Sequence, residues 1–412
     1  MDFRKLLAVS LAAFIMFVAV PCFAADVNEL ERRLYIVSEE LDRLKSPGGS
    51  GIAHRTSVHG YGETHWQMGN EKGDSSAQVD QHRFVIGVHS EITDWIHFSA
   101  EIDFEHAATE LEFEYGHLDF LVSQGLNFRA GTMLMPMGNL NEFHEPNNFY
   151  TVERPDFHSK LIPSTWQQAG AGIFGSKGDI SYRAYLTNAV SALDGSRYFR
   201  AQDFIRKGRS QIIEGLKVHN MAVTARVEKK IPGGQAGFSI YTGGSAGGFI
   251  DESGNLTIVV MDYKTKQGPW DLDFGVMKGW VADTKELNTA CASGAVKCST
   301  DIPQSAFGLL GTFAVHVPEL MNINTIHDII PFIQYQKIRP NDKQGEDNVS
   351  ASNHKRNYDV LAFGAAYKPH PQVALKASYR TNFLSGEEVA GANNGDAGTN
   401  VSIFDLGVAY SY

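Results

Sequence analysis

The sequence predicts an all-β protein: a 16-stranded antiparallel transmembrane β-barrel with an inward-folded third loop, preceded by a short N-terminal coiled-coil helix. Three observations carry that prediction. Segments from residue 57 onward alternate apolar and polar residues with a period of two. The connections between them alternate between tight and long. The chain also ends on a strand whose outer face is aromatic and aliphatic.

The final segment, Ser402 to Tyr412, sets Phe404, Leu406, Val408, Tyr410 and Tyr412 on one face, with smaller or polar residues mostly between them. A strand with lipid on one side and a lumen on the other needs that pattern. Sixteen candidate strands lie near 57–68, 80–92, 95–106, 110–122, 126–135, 167–175, 179–189, 215–229, 235–245, 256–265, 270–283, 305–317, 326–338, 358–367, 371–382 and 402–412. Ile96, Phe98, Ala100, Ile102 and Phe104 oppose His97, Ser99, Glu101, Asp103 and Glu105. Leu111, Phe113 and Tyr115 oppose Glu110, Glu112 and Glu114. Val373, Leu375, Ala377 and Tyr379 oppose Ala374, Lys376, Ser378 and Arg380.

The connections test the reading independently. If the N-terminus is periplasmic, even-numbered connections face the periplasm. Most of these are tight, such as Thr93-Asp94, Ser123-Gln124-Gly125, Ser176-Lys177-Gly178 and Gln267-Gly268-Pro269. The odd ones at 69–79, 136–166, 190–214, 284–304, 339–357 and 383–401 are long. Short periplasmic turns and longer external loops are the membrane-barrel arrangement. Trp270, Tyr367 and Tyr412 fall near predicted periplasmic strand ends, where an interfacial aromatic belt belongs.

Residues 1–24 read as a secretory signal peptide. Arg4 and Lys5 form its basic start, Leu6 to Val20 its apolar run, and Cys22-Phe23-Ala24 its cleavage site. Pro21 before Cys22, and the lack of a lipoprotein box, argue against lipidation. In 25–45, Val27, Leu30, Leu34, Val37, Leu41 and Leu44 recur at heptad spacing among charges. A helix this short gains stability by self-association. Ser46 to Gly51 supplies a flexible tether within the linker 46–56, and 57–412 forms the barrel domain.

The net charge is −11 at pH 7, so no basic stripe points to nucleic acid. Mean hydropathy is −0.22, which looks soluble, but alternation hides the apolar residues of a barrel from any average. Cys291 and Cys298 lie in a polar, Gly-containing loop of an exported protein, which predicts a local disulfide.

Asp405, Gly407, Tyr410 and Tyr412 resemble the C-terminal insertion signal of outer-membrane barrels. With the signal peptide, strand count and loop parity, the chain resembles the Gram-negative outer-membrane porins over 57–412. The heptad leader is similar to that of the coiled-coil-bearing trimeric porins, the phosphate-selective O/P-like and dicarboxylate-type groups. It departs from the general porins in ending on Tyr412 rather than Phe. The resemblance implies a homotrimer in the outer membrane of a Gram-negative bacterium, in contact with lipid and lipopolysaccharide, with its coil in the periplasm. It also implies a third external loop folded inward as a constriction.

That loop is Pro136 to Trp166, the longest connection, holding Glu142, His144, Glu145, Glu153, Arg154, Asp156, His158 and Lys160. Sixteen strands make a barrel too wide for wall side chains to fill, so an aqueous lumen is expected. Face parity gives the lumen wall Arg83, Glu101, Asp103, Arg129, Arg183, Lys376 and Arg380, with Glu105, Glu110, Glu112, Glu114 and Arg226 beside them. Acids on the loop and one wall would then face bases on another, where a narrow low-dielectric passage makes each fixed charge count. Arg197, Arg200, Arg206, Lys207 and Arg209 would recruit anions at the mouth.

No His/Cys/Asp/Glu cluster shows metal-ligand spacing, and no nucleophile elbow, P-loop or H-E-x-x-H is present, so neither an enzyme, a cofactor nor a metal is expected. The function expected is a porin: a water-filled ion and solute diffusion channel for small hydrophilic, charged solutes. A solute-specific porin for phosphate or a dicarboxylate is the alternative, recognisable by an anion preference that Arg129→Ala or Arg183→Ala abolishes. A structural or adhesive barrel, giving no conductance, is the alternative of another class.

Overall fold

A computed structural model of the chain describes residues 55–71, 74–209, 218–294, 296–347, 357–384 and 401–412. The signal peptide, the heptad segment and nearly all of the linker lie outside these residues. Alternation produces the sixteen strands. They are β1 (Thr56–Glu71), β2 (Asp74–Glu91), β3 (Ile96–Glu105), β4 (Glu110–Leu121), β5 (Asn127–Leu134), β6 (Gln167–Lys177), β7 (Ile180–Asn188) and β8 (Met221–Ile231). There follow β9 (Gly234–Gly243), β10 (Leu256–Gln267), β11 (Trp270–Val281), β12 (Ser305–Val315), β13 (Asp328–Lys343), β14 (Tyr358–His370), β15 (Val373–Leu384) and β16 (Val401–Ser411).

Each strand pairs antiparallel with its sequence neighbour, and β1 closes the barrel on β16 from Tyr61 opposite Ser411 to Asn70 opposite Ser402. Closure leaves the ring without an open edge, which is how a sheet satisfies its backbone groups away from water. Outside, Phe113, Val223, Val227, Phe238, Phe274, Phe363, Leu375 and Phe404 are exposed. The alternate residues on those or adjoining strands, including Glu114, Arg226, Asp262, Lys376 and Asp405, are buried within. Trp270, Tyr367 and Tyr412 stand exposed at the tight-turn end, with Trp270 stacked on Phe313 and Tyr412 on Phe84.

Three departures from the sequence expectation have local causes. The first hairpin continues pairing to Glu71 opposite Asp74, so most of the predicted long connection 69–79 is strand. On β2 the ladder steps from Glu63–Arg83 to His65–Asp80, a bulge that lets Asp80, His82 and Arg83 share the inner face. On β4 a second bulge, between Glu101–Tyr115 and Ile102–Phe113, inserts Glu114. It sets Tyr115 opposite inward-facing Glu101, whereas simple alternation puts Tyr115 outside with Leu111 and Phe113.

The interior is uneven. Met133, the connection residues Met135, Met137, Phe157, Leu161 and Trp166, and the strand residues Tyr241, Ile258, Val260, Met277, Leu310, Ile338 and Val360 form one apolar core. Around β1 to β4 the buried residues are instead mostly ionisable, among them Glu63, His65, Arg83, Glu101, Asp103, Glu114 and His117. Helix α1 (Thr284–Ala292) caps the apolar side through Leu287, and its Cys291 is disulfide-bonded to Cys298.

Candidate functional site

The connection 135–166 supplies the candidate site. Its ends are fixed by Asn141, whose side-chain nitrogen donates to the Met135 and Trp166 carbonyls and whose oxygen accepts from the Trp166 amide, at 2.8, 3.0 and 2.9 Å. From there it contacts strands all around the barrel. His144 Nε2 lies 2.8 Å from a Glu114 oxygen and 2.7 Å from the Tyr61 hydroxyl. Tyr61 in turn donates to Glu101 at 2.9 Å. Glu153 binds His65 Nδ1 at 2.9 Å and accepts from Gln67 at 2.8 Å, while His65 Nε2 meets Glu63 at 2.9 Å.

On other strands, Asn139 donates to Asp273 at 2.8 Å and the Tyr150 hydroxyl to Asp271 at 2.5 Å. Asp156 accepts from Tyr358 at 2.6 Å, and Lys160 reaches Asp156 at 3.6 Å. Glu145 accepts from Asn148 within the connection, and Arg154 donates to the His144 carbonyl at 3.2 Å. Phe157 packs where β11 and β12 carry Gly275 and Gly308; a Cβ on Gly308 would come within 2.3 Å of Leu161. His158 is buried, and that burial, with Arg154 nearby, pushes its pKa down to about 3, so it stays neutral.

The predicted wall bases are all inward, but rather than forming one bare positive wall the arginines are matched by acids and Lys376 by carbonyls. Arg83 lies 3.2 Å from Glu63 and within 4 Å of Asp103, Glu105 and Glu114. Arg129 holds Asp119 with two bonds of 2.7 and 2.8 Å. Arg183 bridges Glu142 at 3.0 Å and Glu228 at 2.8 Å. Arg226 is bidentate on Asp262 at 2.7 and 2.8 Å, and Arg380 pairs with Asp405 at 3.3 Å. Lys376 donates to the Pro146 and Thr151 carbonyls at 2.5 and 3.0 Å, with its ammonium 4.1 Å above Phe149. The predicted opposition of acidic and basic walls therefore becomes a set of short dipoles. Isolated charges would be costly at such burial, and pairing offsets that cost.

Sequence reasoning missed these partners: the ionisable Glu63, His65, Asp119, Glu228, Asp262 and Asp405, and the hydroxyls of Tyr61 and Tyr358. A lone acid in the middle of an apolar strand, such as Asp262 in V-V-M-D-Y or Asp405 in I-F-D-L, is the signal that marks several of them.

At the end with the long connections, a cavity of about 910 Å³ opens between His82, Arg83 and His106 on one side and Arg197, Arg206 and Arg209 on the other. Arg197 pairs with Asp194 and Arg200 with Asp203, while Arg206 donates to the Ser159 carbonyl. Arg209 is buried, and its Nε and Nη1 have no hydrogen-bond partner among the described residues. Burial and the neighbouring Arg206 lower its pKa to about 10, which leaves it cationic at neutral pH.

No family model matches the chain. A protein of Aquifex aeolicus (strain VF5), described as an uncharacterized protein, is 30% identical over 335 residues, 78% of this chain and 74% of that one. Among solved structures, the outer membrane channel DcaP of Acinetobacter baumannii is similar at a TM-score of 0.56 and 11% identity, over 87% of this chain and 97% of that one. Salmonella typhi OmpF, solved in complex with daunomycin, is similar at 0.56 and 10% identity over the same shares. The fold is that of the outer-membrane porins.

Proposed function

The chain belongs to one family with the Aquifex aeolicus protein, and for this member we propose an outer-membrane channel for passive diffusion of small hydrophilic, charged solutes. One observation carries the reading: a closed ring of sixteen strands with an apolar outside keeps ionised side chains within. Ionised groups facing lipid would be expensive, and so many facing inward suit a lumen that holds water and ions.

The connection 135–166 is the constriction in this account, folded into the lumen and dividing it. Its bonds to Glu114, Asp273, Asp271 and Tyr358 support that reading, because those residues lie on β4, β11 and β14. Its apolar side packs on β10 to β14, which leaves the charged side near β1 to β4 for the solute path. Solutes enter through the arginine-lined cavity and pass the His144, Glu153 and Arg154 region. Selection follows from narrow bore and paired charges, acting by orientation of dipolar solutes rather than by bulk attraction.

Export by residues 1–24, trimerisation through 25–45 and a setting in lipid and lipopolysaccharide complete the proposal. The test is fractionation followed by liposome swelling. Protein recovered from the outer-membrane band should admit small sugars and amino acids and exclude larger oligosaccharides. Recovery as soluble periplasmic protein, or liposomes impermeable to all of them, would refute it. Deleting 26–45 should weaken the trimer and leave barrel insertion intact.

A further inference from the structure

The β2 bulge and the turn at 106–109 build something that the solute path does not need. Asp80, His82 and His106 bring ligand atoms together at the rim of the outer cavity. His82 Nδ1 stands 3.1 Å from Asp80 Oδ2, and His106 Nδ1 stands 3.0 Å from each Asp80 oxygen. One ligand atom from each of the three lies within 4.8 Å of the others. Glu105, His106 and Glu110 form a second, overlapping group by the same measure.

The framework holding them is independent of any ion. His106 N donates to the His82 carbonyl at 3.1 Å, and Ala107 N to that of Gln81 at 3.0 Å, tying the turn to β2. The turn keeps His106, Ala107 and Ala108 at φ of 49, 57 and 65°, left-handed values that non-glycine residues adopt at a cost. The His82 ring stacks on His65 with centroids 4.6 Å apart, which fixes its plane.

We propose that Asp80, His82 and His106 form a binding site for a divalent transition-metal ion of the zinc class. Two imidazoles and a carboxylate are a ligand set for Zn²⁺ rather than for Mg²⁺ or Ca²⁺, which prefer oxygen. Bonds of ~2.0–2.2 Å to tetrahedral Zn²⁺ place neighbouring ligand atoms roughly 3.3 Å apart. The two His–Asp80 spacings of 3.0 and 3.1 Å lie close to that value, and the two imidazoles offer ligand atoms no more than 4.8 Å apart. Because His82 and His106 line the outer cavity, a fourth position can be filled from solvent or by Glu105 or Glu110. The inference does not rest on the channel reading, since binding is measured without conductance.

The test uses full-chain, tag-free protein in detergent micelles, stripped of metal and dialysed against buffered free Zn²⁺. The wild type should retain one Zn²⁺ per chain, beyond any held elsewhere, and Mg²⁺ in excess should not displace it. His82→Gln and His106→Gln should each weaken retention by more than the ~10–100-fold that loss of an outer-shell partner costs. Both positions are partly exposed, so the barrel should still fold, which heat-modifiable gel mobility checks. His89→Gln, in the separate His89–Glu91–His97 group, should leave that ion in place. Retention unchanged in both His82→Gln and His106→Gln, or loss through His89→Gln instead, would overturn the assignment. So would a folded wild type that retains no ion at micromolar free Zn²⁺.

Discussion

Tyr61 of β1 and His144 of the 135–166 connection, both buried, share a 2.7 Å hydrogen bond across 83 residues of sequence. Glu114 completes the group at 2.8 Å from the same imidazole nitrogen. The contact joins the first strand to the connection between β5 and β6.

His144→Ala removes that junction: the Glu114 carboxylate loses its 2.8 Å partner in a buried place, while the Tyr61 hydroxyl keeps Glu101. The expected cost is ~1–3 kcal/mol. Urea unfolding in micelles, followed by tryptophan fluorescence, should show the loss. Single-channel records of the same variant should become noisier as the connection moves.

Gly308→Val should push the connection off β12, because a Cβ there meets Leu161 at 2.3 Å and Phe157 at 3.0 Å. Overpacking of this kind costs ~1–3 kcal/mol. Freed from its seat, the connection should expose Arg154 and Lys160 to trypsin. Faster cleavage at those bonds in folded protein is the expected outcome, and wild-type resistance would show that the seat tolerates the added side chain.

Arg226 tests how the interior balances charge. It is fully buried and bidentate on Asp262, so Arg226→Met strands an unpaired carboxylate at a cost of ~3–5 kcal/mol. Arg226→Met with Asp262→Leu should recover much of that loss, because the burial penalty then disappears with the pair. Equilibrium unfolding of the two variants beside the wild type provides the comparison.

Arg129 tests selectivity in the same terms. Its charge is matched by Asp119 at 2.7 Å, so Arg129→Ala does more than subtract a cation: it bares an anion. Reversal potentials in asymmetric salt should shift toward cation preference. Adding Asp119→Asn should return them close to wild type. A shift that persists in the double variant would mean that Arg129 acts on ions singly and not as half of a dipole.

The strands were legible because a membrane barrel writes its two faces into the period of the chain. Phe404 and Asp405, or Leu375 and Lys376, declare their sides without reference to any neighbour. The bulges at Asp80–Arg83 and Glu114 were not legible. Each depends on a register between two strands, and that register is hidden from the pattern of either one alone. This is why Tyr115 changes face, and why Asp80, His82 and His106 come together although their spacing in the sequence signals no ligand set. The 135–166 connection could be read as long, proline-rich and charged. Its partners could not, since Asp271, Gly308 and Tyr358 become its neighbours only through closure. The pairing of the wall bases was hidden for a related reason: alternation gives the face of Arg129 or Arg183, and only register gives the acid beside it.

The most direct test of the central claim is single-channel recording from purified, folded protein in a planar bilayer. A sixteen-stranded barrel that passes solutes beside its 135–166 connection, as proposed, should give discrete ohmic steps, equal in size from one insertion to the next. Folded protein that inserts, confirmed by protease protection of its strands, yet leaves the bilayer electrically silent would contradict the account.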